Sequence, residues 1–315
     1  MLLRSVTLAI FVFLFSTLVI GVIFFVNTKP VGEVAFNQPK DLNNDHSSNA
    51  FVLSAAEPDY LPIRDFNIAD PEILARAGAL YDTHSGKFLY HKDIDKQLPI
   101  ASLTKLMTAV AIVENLDLNS IITVPVEDLN VDGYGADLVK NEKIKAVDLL
   151  KMMLIKSSND AALVFQTEAN ALGINLVDIM NDKATELGMS STRFTNTAGL
   201  DDNAFSTVAD LVKLVQYVGK HKIIWNILST STIDIASIDG RFRHHLINTD
   251  QLLGQIPGII GGKTGYTDKA MGTMILVVDV NWGFSNLIGV ILGSNDRFSE
   301  VKKLMDWGKI AHRWK

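Results

Sequence analysis

Ser102 and Lys105, in the stretch "PIASLTKLMTAV", stand three positions apart among small and aliphatic neighbours. On a helix, residues i and i+3 share a face, so the amine reaches the hydroxyl. A serine hydroxyl is a weak nucleophile until a base takes its proton. Lysine is such a base only when its pKa falls by about 3 units, through desolvation or a neighbouring cation. Apolar surroundings meet that demand. Spacing alone decides nothing, because Ser299 and Lys302 repeat it in the last amphipathic stretch, where a solvated face is expected.

Two further stretches carry polar groups that chemistry could use. In "KSSNDAA", Ser157 and Asn159 lie between two apolar-periodic segments, so a turn there presents a hydroxyl and an amide to a cleft. The competing reading is an ordinary helix cap, since Ser157, Ser158 and Asn159 all cap well; "SSN" at 47–49 shows how common the pattern is. In "GGKTGYTDKAMGTMILVVDV", Lys263, Thr264 and Gly265 enter a β-branched run. A cation, a hydroxyl and a position without a side chain along one strand edge suit a carboxylate, with a peptide lying antiparallel beside them. The rival is a phosphate-binding loop. "PGIIGGKT" lacks its first glycine, with Pro257 in that place, and a strand follows where such a loop opens a helix. No nucleotide is expected.

These groups need elements to hold them. "AGALYDTHSGKFLYHKD" reads as a β-hairpin. "AVDLLKMMLIKSSNDAALVFQTEANAL" and "TVADLVKLVQYVGKH" repeat apolar residues at three and four, as helices do. "GTMILVVDV" and "SNLIGVILG", joined by "NWGF", read as a strand pair. "RFSEVKKLMDWGKIAHRW" closes the chain as an amphipathic helix whose Phe298, Val301, Leu304 and Met305 face the sheet. The expected fold is therefore α+β: an antiparallel sheet assembled from both ends of the domain, flanked by helices, with a mostly helical insertion.

Ahead of that domain, Val6–Val26 is an uncharged apolar run of 21 residues, ~30 Å as a helix, enough to span a bilayer. It is longer than a cleaved signal core and lacks small residues just beyond it. The expected organisation is a transmembrane signal-anchor over 1–26, a flexible extracytoplasmic tether over 27–70, and a catalytic domain over 71–315 on the outer side of the cell membrane. Of the 315 residues 48% are apolar and 20% charged, with a net charge of −6 and no cysteine. That balance offers no basic footprint for nucleic acid and excludes disulfides, thiolate metal sites and a cysteine nucleophile. The 7 histidines show no ligand spacing, so no metal is expected.

In order, Ser102-x-x-Lys105, Ser157-x-Asn159 and Lys263-Thr264-Gly265 resemble the signature of the penicillin-recognising serine enzymes. "IASLTKLMTA", "SSNDAA", "TRFTNTAGLDD" and "INTDQLL" narrow the likeness to the serine D-alanyl-D-alanine carboxypeptidases, the low-molecular-mass penicillin-binding proteins, from about residue 74 onward. The resemblance implies a β-lactamase/transpeptidase-like fold and no cofactor. It implies Ser102 as the acylated nucleophile, Lys105 as its base, Ser157 as proton relay and Asn159 as a holder of the substrate amide. Lys263 and Thr264 would meet the terminal carboxylate beside Gly265, and the backbone N–H groups of Ser102 and Tyr266 would form the oxyanion hole. Stem peptides of peptidoglycan and β-lactam antibiotics are the implied partners. A D,D-endopeptidase of wall crosslinks shares all three motifs. A β-lactamase needs a deacylating glutamate that Glu168, too close behind Asn159, does not supply; a non-catalytic wall-binding module needs neither Lys105 nor Ser157. Many relatives add a β-rich domain and a C-terminal membrane helix, and here an N-terminal anchor is expected instead.

Overall fold

The structure is a computed structural model that describes residues 61–129, 135, 137–280 and 285–314, all within the unit Ala55–Lys315. The anchor expected over 1–26, and the tether up to residue 60, lie outside the described residues. Among the described residues, no helix is long and apolar enough to cross a membrane.

Five strands carry the domain: β1 (Ala77–Asp82), β2 (Lys87–Lys92), β3 (Ile259–Thr267), β4 (Met271–Asp279) and β5 (Asn286–Ser294). They form one antiparallel sheet in the order β3-β4-β5-β1-β2. The first and last parts of the chain thus meet where β5 pairs with β1, with Ala79 opposite Val290. Strands β4 and β5 are buried along nearly their whole length, because both sheet faces are covered. Side chains alternate across them, as a pleat requires. Ile275, Val277, Ile288 and Val290 join the core on the helical-insertion side. Met274, Leu276, Val278, Leu287 and Ile291 pack with the closing helix on the other.

The helices are α1 (Thr104–Asn115), α2 (Ala146–Ile155), α3 (Asn159–Ala171), α4 (Leu176–Glu186), α5 (Val208–Val218), α6 (Lys222–Leu228) and α7 (Arg297–Ala311). Residues Thr104 to Ile112 of α1 are all buried, which is why this helix carries so little charge: it runs through the core rather than along its surface. Helix α7 lays Val301, Leu304 and Met305 on the sheet as expected, with Phe298 partly buried beside them. Ser299 is exposed and Lys302 pairs with Asp306, so the second Ser-x-x-Lys is a solvated face.

Two boundaries differ from the sequence reading. Residues 61–70, assigned to the tether, belong to the folded domain, and the end of the closing helix is a strand. Pro62–Arg64 pairs antiparallel with His312–Trp314, Arg64 stacks 4.8 Å over the Trp307 ring, and Trp307 Nε1 donates to the Ala69 carbonyl at 2.9 Å. A three-residue strand whose partner lies at the far end of the chain leaves no local periodicity to read. The hairpin Thr232–Ala236/Arg243–Ile247 has no counterpart in the sequence reading; its second strand ends at Ile247, which with Asn248 and Thr249 lines the cleft described below.

Candidate active site

Ser102 sits in a single 3₁₀ turn, Ala101–Leu103, that leads into α1. Ala101 holds φ +48°, a region a residue with a Cβ occupies only at a cost and which clusters at functional sites. Two glycines let this turn nestle against its surroundings. A Cβ on Gly265 would lie 2.9 Å from the Ser102 nitrogen and 3.2 Å from Ala101 Cβ. A Cβ on Gly199 would lie 2.1 Å from the Ala101 carbonyl oxygen. Strand β3 and the "NTAGL" loop therefore press on the backbone of Ala101 and Ser102 from two directions.

Lys105 is fully buried, and its Nζ lies 3.0 Å from Ser102 Oγ. The same nitrogen donates to Asn159 Oδ1 at 2.7 Å and to the Ala198 carbonyl at 2.6 Å. Burial drives the Lys105 pKa well below its ordinary value; the charge of Lys263 adds to this, and Asp160 opposes it. A neutral amine has two N–H bonds and one lone pair. The two carbonyl-type acceptors take the N–H bonds, so the lone pair is left to receive the proton of Ser102. The Ala198 carbonyl is a site group that sequence reasoning missed, because a backbone atom has no residue-type signal. Asn196 fixes its loop: its Oδ1 accepts from the nitrogens of Ala198 and Gly199 at 3.0 and 2.6 Å.

Ser157 and Asn159 flank the start of α3. Here the two readings of "KSSNDAA" divide by residue. Ser158 is the cap, its Oγ accepting from the Ala161 nitrogen at 2.9 Å, while its neighbours serve the site. Ser157 takes φ +59° in the turn from α2, and its Oγ accepts a hydrogen bond from Lys263 Nζ at 2.9 Å. Lys263 is buried and also donates to the Thr264 carbonyl at 3.0 Å. Burial and the nearby Arg297 lower its pKa to about 7, with buried Asp250 working the other way. Thr264 Oγ1 donates to Thr249 Oγ1 at 2.7 Å.

All eight residues singled out from the sequence lie at this one place. Ser102, Ser157, Thr264, Gly265 and Tyr266 line a cleft of about 350 Å³ beside the edge strand β3. Lys105, Asn159 and Lys263 are buried; the two lysines bond to the lining serines Ser102 and Ser157, and Asn159 is joined to Ser102 through Lys105. Tyr266 is 57% exposed at its mouth. The structure adds Lys156, Thr249 and Arg297 to the lining. Arg297 opens α7, far from the three motifs in sequence, and only the fold brings it here.

Gly199→Ala should therefore be damaging out of proportion to its size. The residue sits at φ +77° and its methyl would overlap the Ala101 oxygen, so either strain remains or the turn that carries Ser102 moves. A loss of about 2–4 kcal/mol in chemical denaturation is expected, with serine acylation slowed roughly 100-fold. Gly188→Ala is the comparison: φ is +68° but nothing lies within 4 Å of the new methyl, so only about 1 kcal/mol should be lost and reactivity kept. Equal damage from both would disprove the packing argument.

A family model described as D-alanyl-D-alanine carboxypeptidase matches residues 64–296. A D-alanyl-D-alanine carboxypeptidase of Bacillus subtilis is 29% identical to this chain over 242 residues, covering 74% of this chain and 61% of the relative. This chain therefore spans about three fifths of that relative's length. A D-alanyl-D-alanine endopeptidase of Haemophilus influenzae is 34% identical, covering 70% of this chain and 76% of its own. Among solved structures, a Streptomyces DD-transpeptidase superposes with a TM-score of 0.72 at 26% identity, over 76% of this chain and 99% of that one.

Proposed function

Because the chain belongs to the D-alanyl-D-alanine carboxypeptidase family, we propose that its cleft removes the terminal D-alanine of peptidoglycan stem pentapeptides through an ester on Ser102, and that penicillins acylate the same hydroxyl. The observation that carries this reading is the state of Lys105: a buried amine, its two N–H bonds committed, 3.0 Å from the serine oxygen. The Ser102 proton passes to Lys105 as Oγ attacks the penultimate carbonyl. Backbone N–H groups of Ser102 and Tyr266 meet the developing oxyanion, an interaction worth about 3 kcal/mol per donor in such sites. Ser157, bonded to Lys263, relays that proton from Lys105 to the departing nitrogen, so Lys105 is neutral again and D-alanine leaves as a free amine. The terminal carboxylate settles among Thr264, Thr249 and Arg297, with Lys263 beneath. The substrate backbone runs antiparallel to the edge strand β3. Water then hydrolyses the ester.

The deciding experiment gives the purified chain both a stem pentapeptide and a crosslinked stem dimer. Release of D-alanine from the pentapeptide, with a mass gain of one penicillin on Ser102, is expected. Cleavage of the dimer alone would move the assignment to a D,D-endopeptidase, the reading that the Haemophilus influenzae relative's name favours. No release and no adduct would overturn both.

The apolar run Val6–Val26 supports a further part of the proposal: an N-terminal anchor that holds the domain outside the cell membrane. The full chain should sediment with membranes and be digested by protease added outside, whereas a chain lacking residues 1–26 should stay in the supernatant.

A further inference from the structure

The leaving side of the cleft holds more charge than one D-alanine uses. Two charged residues are found among the described residues that line it, Lys156 and Arg297, and both are cations. If the terminal carboxylate meets Thr264, Thr249 and Arg297, and Ser157 protonates the departing nitrogen, then Lys156, Ile247 and Gln251 line space that an alanine leaves unused. The cleft volume of about 350 Å³ lies in the range of small-molecule sites. Lys156 precedes Ser157 in the chain, so it stands beside the group that protonates the leaving nitrogen.

Lys156 already holds a carboxylate. Its Nζ donates to Asp137 Oδ2 at 2.8 Å, with the lysine side chain 27% exposed and the aspartate 85% exposed. A pair so open to water contributes little and is readily exchanged, so an incoming carboxylate can take the place of Asp137. Ile247, 61% exposed, offers apolar surface on the same wall for the methylenes that would carry such a group.

We infer that Lys156 determines leaving-group specificity, selecting terminal D-residues larger than alanine whose side chain bears a second carboxylate. This rests on the reading of the cleft given under Proposed function. The reaction is the same hydrolysis, with the larger D-amino acid as the departing amine.

The test compares acylated tripeptides ending in D-Ala-D-Ala, D-Ala-D-Glu and D-Ala-D-Gln, and reads kcat/KM for release of the last residue by the full chain. D-Glu should be preferred over its neutral isostere D-Gln about three- to five-fold at low salt, the size expected of an exposed pair, and the preference should shrink in high salt. Lys156→Gln should bring the ratio to about one, and Lys156→Arg should keep it. Asp137→Asn, which removes the competing carboxylate, should raise it. A ratio of one in the wild-type chain, or a preference that survives Lys156→Gln and high salt, overturns the inference. The salt series needs no variant, so a misfolded Lys156→Gln does not stall the test. Failure of the underlying reading looks different: D-alanine would not be released from D-Ala-D-Ala, and penicillin would leave Ser102 unmodified.

Discussion

Ser102→Ala should abolish both D-alanine release and the penicillin adduct while leaving the fold in place. The change removes one hydroxyl from a partly buried turn. Lys105 keeps its bonds to Asn159 and Ala198, so the loss is about one weak hydrogen bond and the melting temperature should move by only a few degrees. Turnover should fall by at least about 10⁴-fold, since without the nucleophile only the binding and oxyanion groups remain. Mass spectrometry of penicillin-treated protein gives the clearest readout: one adduct per wild-type chain, none on the variant. Ser299→Ala, in the second Ser-x-x-Lys, should change neither, because Ser299 is exposed on α7 and Lys302 pairs with Asp306 there. An adduct that persists in Ser102→Ala would place the nucleophile elsewhere.

The contrast between those two serines shows what sequence can carry. Identical spacing gives one buried pair and one solvated pair, and the difference lies in what packs around them. The joint order of three motifs made the first reading stand out. The strands of the main sheet were legible because β4 and β5 alternate side chains into two cores and are bounded by clear turns. Helix α1 was legible as a helix, and its low charge is explained by burial on all sides. Three kinds of feature were not legible. The Ala198 carbonyl serves the site as a backbone atom, and any residue could supply it. Arg297 reaches the cleft only through the fold. The pairing of Pro62–Arg64 with His312–Trp314 spans the whole domain with three residues a side, too short for periodicity to register. In each case the missing information was tertiary.

Lys105→Ala should slow acylation by about 10²–10⁴-fold, the usual weight of a positioned base, and Lys105→Arg should be no better. Arginine keeps the positive charge yet never gives up its proton at working pH, so recovery in that variant would mean that charge, rather than a lone pair, matters at this position. The pH dependence of kcat/KM separates the two lysines. Lys105 must be neutral to act, so the rate rises with pH through a limb set by its strongly lowered pKa. Lys263 must be charged to favour a carboxylate, and its pKa of about 7 makes the rate fall as pH climbs past neutrality. Loss of that charge also removes one of the causes that hold Lys105 down, so the two limbs are coupled and belong to the pair. A bound carboxylate stabilises the Lys263 ammonium, and the falling limb of kcat should therefore sit higher than that of kcat/KM. Stability gives an independent check. Both amines bind protons more weakly in the fold than in the unfolded chain, where lysine titrates near 10.4. Between about 7 and 10 the unfolded chain thus holds more protons, and stability must rise with pH across that window. Lys105→Ala should flatten the rise. A profile with one limb, still climbing above pH 9, would mean that Lys105 keeps an ordinary lysine pKa and cannot be the base.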